Sequence, residues 1–171
     1  MNFFEKLRSA AVGRRPSARV IGIDLGTTNS TVAVVTLPLP TDSNPETACS
    51  DLSIEQMTLS GPTYSTLVPS VVAIDTAGHE WIGEGAKRLR AEAVAHGLSP
   101  ERNLFSETKN DMGISKTYHR ATDDYDHARK IAAKVLRFLA AHARKAAGSL
   151  VARTVVTVPA SFQVNQRADT L

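Results

Sequence analysis

The sequence predicts an α/β fold, because segments with strand character alternate with segments of helical periodicity. Short apolar, β-branched runs are typical of strands, and the chain has several of them. Longer segments in which apolar residues recur every three or four positions predict amphipathic helices. In chain order we expect strands at 20–23, 31–35, 67–75 and 151–158 and helices at 84–95 and 122–147. The 171 residues, 42% of them hydrophobic and 22% charged, suffice for one ordinary domain or two small subdomains.

Residues 1–18, which precede the first strand, form a basic tail. Five cationic side chains against Glu5 give residues 1–19 a net charge of +4, whereas the whole chain carries +3. The remainder is near neutral and has no basic patch interleaved with aromatic residues, so we expect no nucleic-acid partner. The tail has no long apolar core, so we expect a cytoplasmic protein, with organelle targeting by residues 1–18 as the alternative. No apolar run reaches the roughly 18–20 residues of a transmembrane segment.

The turn between the first two strands has the composition of a phosphate-binding loop. Asp24-Leu25-Gly26-Thr27-Thr28-Asn29-Ser30 contains an acid, a glycine and four consecutive hydroxyl or amide residues. Backbone N–H groups in such a turn, with hydroxyl donors beside them, bind phosphate oxygens. A carboxylate at its start can hold a hydrated Mg²⁺ ion. The residues therefore predict a phosphate and magnesium site.

The ten-residue string Ile-Gly-Ile-Asp-Leu-Gly-Thr-Thr-Asn-Ser at 21–30 resembles the first phosphate-binding motif of the seventy-kilodalton heat-shock chaperones of the DnaK type. That family shares its ATPase fold with actin and the sugar kinases. The resemblance implies an actin-like (ribonuclease-H-like) ATPase fold, with 19–171 as its incomplete N-terminal lobe: a mixed sheet with flanking helices. It also implies ATP and Mg²⁺ as cofactors. Asp24 would hold the metal through water, and the phosphates would be bound by Gly26, Thr27, Thr28 and Asn29.

The segment 37–65 is expected to be an insertion in a surface loop. It begins with a proline-rich, polar stretch at 37–45 and contains no lysine or arginine. Weak alternation over 53–59, with Ile54 and Gln56 on one side, suggests an edge strand, and Gly61-Pro62 suggests a turn. Surface loops accept such added length at little cost in stability.

The segment 67–97 predicts a strand, a turn, a returning strand and a helix. The strand runs from Leu67 to Asp75 through a Pro-Ser pair, and Trp81-Ile82-Gly83 returns. The helix is expected to end at Ala95, with Gly97 as its cap. Its inward side chains are predicted to be Ala86, Leu89, Ala93 and Val94. The block is similar to the Pro-Ser and Gly-x-x-Ala-Lys-Arg segment of the same chaperones.

The stretch Ser99–Gly113 predicts a polar loop when taken alone. In the chaperone family a similar loop carries a lysine four residues before a glycine, and that lysine reaches the phosphates of ATP. Lys109 lies four residues before Gly113, so the resemblance implies a catalytic role for Lys109. A compact ammonium can stabilise the charge that develops on a transferring phosphoryl group. Asn110-Asp111 departs from the family's usual basic or apolar pair.

The last third of the chain predicts a long helix, a strand and the start of another helix. The long helix is expected over 122–147 and to end at Gly148. Its inward residues are predicted to be Ala128, Ile131, Ala132, Val135, Leu136, Leu139 and Ala143. Taken alone, Pro159 terminates a strand and Arg167 is an exposed helix residue. Val-Pro-Ala-Ser-Phe at 158–162 again resembles the chaperone family, which implies that Pro159 and Arg167 couple nucleotide state to a substrate-binding domain.

The resemblance implies the ATP-binding lobe of a DnaK-type chaperone, in which ATP binding and hydrolysis gate the binding of unfolded polypeptides with the help of cochaperones. The chain has no second phosphate motif of the Asp-x-Gly-Gly-Gly-Thr kind. We therefore expect a fragment that is inactive as an ATPase by itself. Two alternatives stay open: a nucleotide-dependent switch or scaffold without refolding activity, and a small-molecule kinase of the same superfamily.

Overall fold

The computed structural model describes residues 18–38, 47–148 and 151–170, which form an α/β structure. The strands are β1 Ala18–Asp24, β2 Asn29–Leu37, β3 Ala48–Asp51, β4 Ile54–Thr58, β5 Gly61–Ser65, β6 Val68–Pro69, β7 Val71–Ile74, β8 Glu80–Ile82, β9 Leu104–Ser106 and β10 Val151–Thr157. The helices are α1 Glu84–Ala91, α2 Ala128–Ala147 and α3 Val164–Ala168, with a 3-10 helix at Thr108–Asp111. Residues 1–17 of the predicted tail lie outside the described residues, and Ala18 belongs to β1.

The central sheet is mixed, as predicted. Its order is β10-β1-β2-β3, with β6 also paired to β2. The β1–β10 pair is parallel and the other pairs are antiparallel, and the register places Asp24 opposite Thr157. Both strands of the predicted hairpin are confirmed and are longer than expected. Since β2 begins at Asn29, the connecting turn is only Leu25–Thr28.

One face of this sheet packs against α2, and the main core lies between them. Alternate residues of β1 and β2 point inward because side chains alternate across a strand. The buried set comprises Ile21, Ile23, Val32 and Val34 from the sheet and Ile131, Val135, Leu139 and Ala143 from α2. The predicted inward face of α2 is confirmed, with Leu136 half-buried. The helix begins at Ala128 instead of Thr122, since His127 has extended backbone, and Gly148 follows its end with a φ of 72°.

A smaller sheet, β8-β7-β9, packs against α1. Ala86 and Leu89 of this helix are buried, as predicted, with 0% and 2% of their surface exposed. The helix ends at Ala91, however, and Val94 is 93% exposed, so its predicted inward position is wrong. The N–H of Glu92 bonds to the carbonyl of Leu89, three residues back. Such tightening ends the regular helix and turns Val94 towards solvent.

The edge strand expected over 53–59 is confirmed by β4, in which Ile54 and Gln56 are both buried. The prediction of a loop is wrong for residues 48–51 and 61–65, which form β3 and β5, and residues 39–46 lie outside the described residues. β3 joins the central sheet, and β4 and β5 form a hairpin of their own. The hairpin turns at 59–60, so Gly61-Pro62 starts a strand instead of making the turn. Gln56 is fully buried because its Oε1 accepts the N–H of Glu84, 2.8 Å away, and its Nε2 donates to the carbonyl of Leu67.

The predicted polar loop Ser99–Gly113 is also more ordered than its composition suggested. It contains β9, which pairs with β7, and the 3-10 helix. Phe105 and Met112 are 2% and 0% exposed, so this segment contributes to the main core. The described helices include none with the length and apolar character needed to cross a membrane.

Candidate functional site

The turn between β1 and β2 closes so tightly that it requires glycine at position 26. A Cβ on Gly26 would overlap the carbonyl oxygen of Asn29. The turn thus brings the backbone of residues 26–29 together in a small volume. In the part of the chain that the structure describes, the N–H groups of Thr27 and Thr28 have no acceptor. Adjacent free N–H groups in a turn suit an anion such as phosphate.

Two buried serines hold this turn from behind. The N–H of Gly26 donates to Ser30 Oγ over 3.2 Å, and Ser70 Oγ donates to the carbonyl of Gly26 over 2.8 Å. Ser30 Oγ and Ser70 Oγ are 2.9 Å apart. Because Ser70 uses its proton on Gly26, Ser30 must be the donor between the two hydroxyls. The result is a closed ring of three hydrogen bonds that starts and ends on Gly26.

Asp24, the predicted magnesium residue, ends β1 with its carboxylate exposed to solvent. Thr157 Oγ1 donates a 2.7 Å hydrogen bond to Asp24 Oδ1. The parallel β1–β10 pairing brings the two residues together. The hydroxyl of Thr157 orients the carboxylate of Asp24. The second oxygen of this carboxylate stays available to the water of a hydrated cation. The residues present therefore fit Mg²⁺ held through water, as its reluctance to lose its hydration shell favours.

Lys109 lies on the 3-10 helix and reaches the start of the same turn. Its side chain is 7% exposed, and its Nζ donates to the carbonyl of Leu25. Burial lowers the pKa of this ammonium, and the nearby negative charge of Asp24 acts in the opposite direction. The structure thus brings Lys109 and Asp24 to one end of the turn.

The two predicted coupling residues, Pro159 and Arg167, lie after β10. Arg167 of α3 donates from Nε to the carbonyl of Phe162 over 2.9 Å and from its terminal nitrogen to that of Ala160 over 3.2 Å. The ring of Phe162 lies 5.1 Å from Lys109 Nζ, in cation–π geometry. Pro159 is exposed, and its carbonyl accepts the N–H of Phe162. Arg167 therefore holds the turn that places Phe162 over Lys109.

A pocket of about 120 Å³ adjoins the turn on the side of α1. It is lined by Thr27, Thr28 and Asn29, and Lys87 and Arg90 of α1 add two positive charges against the one carboxylate of Glu107. This excess of positive charge beside free N–H groups favours an anionic ligand.

Three residues of this arrangement carried no role in the sequence prediction: Ser30, Ser70 and Thr157. Ser30 belonged to the recognised string, and Ser70 to the Pro-Ser pair. Their contribution depends on hydrogen bonds between residues far apart in the chain. The β1–β10 register would have identified Thr157, because it sets that residue opposite Asp24.

The mixed sheet, its flanking helices and the turn that links β1 to β2 define an actin-like α/β lobe. Residues 101–171 match the family model of the Hsp70 protein. Curated relatives include the "Chaperone protein DnaK" of Mesomycoplasma hyopneumoniae strain J, 34% identical over 151 residues, which are 88% of this chain and 21% of that protein. The protein of the same name from Cenarchaeum symbiosum strain A is 35% identical over 153 residues, 90% of this chain and 20% of that protein.

This chain is a homologue of the DnaK-type Hsp70 chaperones, and the resemblance predicted from its motifs is confirmed. It spans about a fifth of the length of the curated relatives it matches.

Proposed function

We propose that residues 19–171 form the first lobe of a chaperone ATPase and bind the phosphates of ATP with Mg²⁺. The observation that carries this proposal is the convergence of Asp24, the closed Gly26 turn and Lys109 at one end of the central sheet. Asp24 would hold hydrated Mg²⁺. The phosphates would be bound at Gly26, Thr27, Thr28 and Asn29, where free N–H groups adjoin a pocket with cationic side chains.

Lys109 is the proposed catalytic residue. In the described structure its ammonium donates to the Leu25 carbonyl at the base of the turn. A γ-phosphate bound to the turn would offer it a stronger, charged acceptor. There the ammonium would stabilise the charge that develops as the phosphoryl group passes to water. Hydrolysis would then gate binding of unfolded polypeptides by the longer protein, with cochaperones as further partners, and Pro159 and Arg167 would transmit the change.

The catalytic role of Lys109 is tested by Lys109→Ala in a protein that carries this lobe within a complete ATPase domain. We expect ATP affinity to be kept and the single-turnover rate of hydrolysis to fall sharply, since the residue acts on the transition state. Lys145→Ala, which removes an exposed lysine in the last turn of α2, is the control. An unchanged rate in Lys109→Ala removes this residue from the mechanism.

Nucleotide binding by the chain itself tests the assignment to one lobe. Calorimetry of Mg·ATP with the 171-residue chain should show weak binding or none, because a single lobe supplies only part of the phosphate contacts and no pocket for the base. Micromolar affinity would contradict this assignment. A client-refolding assay on the longer protein separates a chaperone from a nucleotide-dependent switch.

A further inference from the structure

The short helix that carries Lys109 ends at Asp111, whose carboxylate two other side chains hold. Tyr118 Oη donates to Asp111 Oδ2 over 2.8 Å, and Lys116 Nζ donates to the same oxygen over 2.8 Å. Lys116 also pairs with Glu101 Oε1 at 2.8 Å. One carboxylate oxygen therefore ties the end of the 3-10 helix to two points outside it.

Of these two donors, Tyr118 is fixed in the core. It is 2% exposed, and its ring centroid lies 5.7 Å from that of Phe105 in β9. Its backbone N–H donates to the carbonyl of Asp126 over 2.7 Å. Burial, and then the hydrogen bond to Asp111, raise the pKa of Tyr118, so its hydroxyl keeps the proton that it donates. The bond between Tyr118 and Asp111 is thus a contact between the rigid core and the helix.

Lys116 makes a second, charged contact with Asp111. The hydrogen bonds that Lys116 donates to Asp111 and Glu101 raise the pKa of Lys116, so this side chain stays an ammonium. A charged donor strengthens the bond to the carboxylate. Lys116 and Tyr118 reach Asp111 from the segment that follows the helix, which restrains the helix at its C-terminal end.

The orientation of the helix decides where the ammonium of Lys109 points. A 3-10 helix has 3.0 residues per turn, so residues two apart project to different sides. Lys109 projects to the phosphate turn at Leu25, whereas Asp111 projects to Tyr118. A lysine side chain is flexible, and a catalytic group works only within narrow limits of position. Fixing Asp111 fixes the rotation of the helix, and with it the starting point of the Lys109 side chain.

We propose that Asp111 is a positioning residue for Lys109, holding the 3-10 helix through Tyr118 and Lys116 so that the ammonium faces the turn at 25–28. The use to which that ammonium is put rests on the proposed function. The placement of the Lys109 ammonium does not rest on the proposed function, because it is a property of the chain without nucleotide and can be measured in that state.

The test follows the Lys109 side chain by NMR in the 171-residue chain, with ¹³C-labelled lysine and Lys109→Arg to assign its signal. The titration of Lys109 is compared between wild type and Asp111→Ala. A carboxylate that acted only as a charge would lower the pKa of Lys109 on removal, because a negative charge favours the protonated form. Release of the buried ammonium into water has the opposite effect and raises the pKa of Lys109. We expect the pKa to rise towards that of a hydrated lysine. A fall, or no change, overturns the proposal.

Two variants complete the design. Tyr118→Phe removes the hydroxyl and keeps the ring packed on Phe105, so it carries the test if Asp111→Ala fails to fold; the pKa of Lys109 should again rise. Asp123→Ala removes an exposed carboxylate elsewhere and should leave the titration of Lys109 unchanged.

A nuclear Overhauser effect between the Lys109 Cε protons and the Phe162 ring is expected in wild type and should weaken in both test variants. Its persistence in both variants contradicts the proposal. An ATPase that does not depend on Lys109 would instead contradict the proposed function alone.

Discussion

Ser30 and Ser70, 40 residues apart in the chain, face each other with their hydroxyl oxygens 2.9 Å apart behind the turn at 25–28. Ser30 is fully buried and Ser70 is 9% exposed. Ser70 sits between β6 and β7, so this contact joins the smaller sheet to the central one. The Ser70 N–H adds a 2.8 Å bond to the carbonyl of Thr28. The geometry of the turn therefore depends on a residue that links the two sheets.

Replacing the Ser70 hydroxyl should destabilise the lobe. In Ser70→Ala the part-buried carbonyl of Gly26 loses its donor and the buried hydroxyl of Ser30 loses its acceptor. We expect a loss of about 1–3 kcal/mol in the free energy of unfolding, the usual cost of an unsatisfied buried polar group. Urea denaturation measures it. Ser53→Ala, at an exposed position, is the control and should lie within about 0.5 kcal/mol of wild type. Equal stabilities of the two variants would show that the hydrogen-bonded ring contributes nothing.

A pair of glycines in one hairpin offers a matched comparison. The added Cβ in Gly26→Ala overlaps the Asn29 carbonyl, so the turn must open, and we expect about 1–3 kcal/mol of destabilisation. A Cβ at Gly22 of β1 meets nothing within 4 Å. Gly22→Ala should be neutral or slightly stabilising, because alanine has less freedom to lose in a strand. Thermal unfolding of both variants measures the difference in stability. A Gly26→Ala variant as stable as wild type would contradict the tight geometry of the turn.

Thr157 is expected to contribute to magnesium binding without touching the metal. Thr157→Val keeps the shape of the side chain and removes the donor to Asp24 Oδ1. In a protein with a complete ATPase domain, we expect the affinity for Mg·ATP to fall about tenfold, which corresponds to about 1.4 kcal/mol. Affinity for nucleotide without metal should change less. Thr154→Val is the matched control, since Thr154 lies on the same strand and is exposed. Equal losses with and without Mg²⁺ would argue against an effect through Asp24.

The carboxylate of Asp75 should give the chain a distinct response to acid. A hydrogen bond from the indole N–H of Trp81, 2.9 Å from Oδ2, and the backbone N–H of His79 lower the pKa of Asp75 to about 2 from its usual 3.8. Because the folded pKa lies below the unfolded one, the stabilisation is complete above about pH 4 and is lost as the pH falls through about 2.

Trp81 reports this titration directly, because it is the only tryptophan in the sequence. Its fluorescence should change with a midpoint near pH 2 in wild type and should lack this step in Asp75→Asn. The unfolding free energy of Asp75→Asn should also depend less on pH between about 4 and 2. A fluorescence midpoint near 3.8 would contradict the hydrogen-bonded geometry at Trp81.

The sequence was sufficient where periodicity and local chemistry decide the structure. The apolar, β-branched runs identified β1 and β2, the helical spacing from Ala128 to Ala143 identified the buried face of α2, and Gly148 marked the end of that helix. These features depend on residues close together in the chain. The turn at Gly26 was predicted for the same reason. The motifs that indicated the family are likewise made of residues close together in the chain.

The remaining features depend on tertiary contacts that local patterns do not contain. Gln56 has a polar side chain, and its burial is explained by two hydrogen bonds to distant backbone groups, from the N–H of Glu84 and to the carbonyl of Leu67. The polar character of 99–113 hides Phe105 and Met112, which pack in the core because β9 pairs with β7. Lys109 was expected to reach the phosphates. The residues around it in the sequence did not indicate that its ammonium would be buried against Leu25.

The parallel pairing of β1 with β10 has a consequence for the order of events during synthesis. Asp24 leaves the ribosome 133 residues before Thr157, the partner that orients it. At about 5–20 residues per second this interval is roughly 7–27 seconds. Throughout that time β1 has an open edge, which other chains can pair with. The nascent chain therefore has the residues of its phosphate turn early, but it completes the sheet that supports them only when β10 arrives.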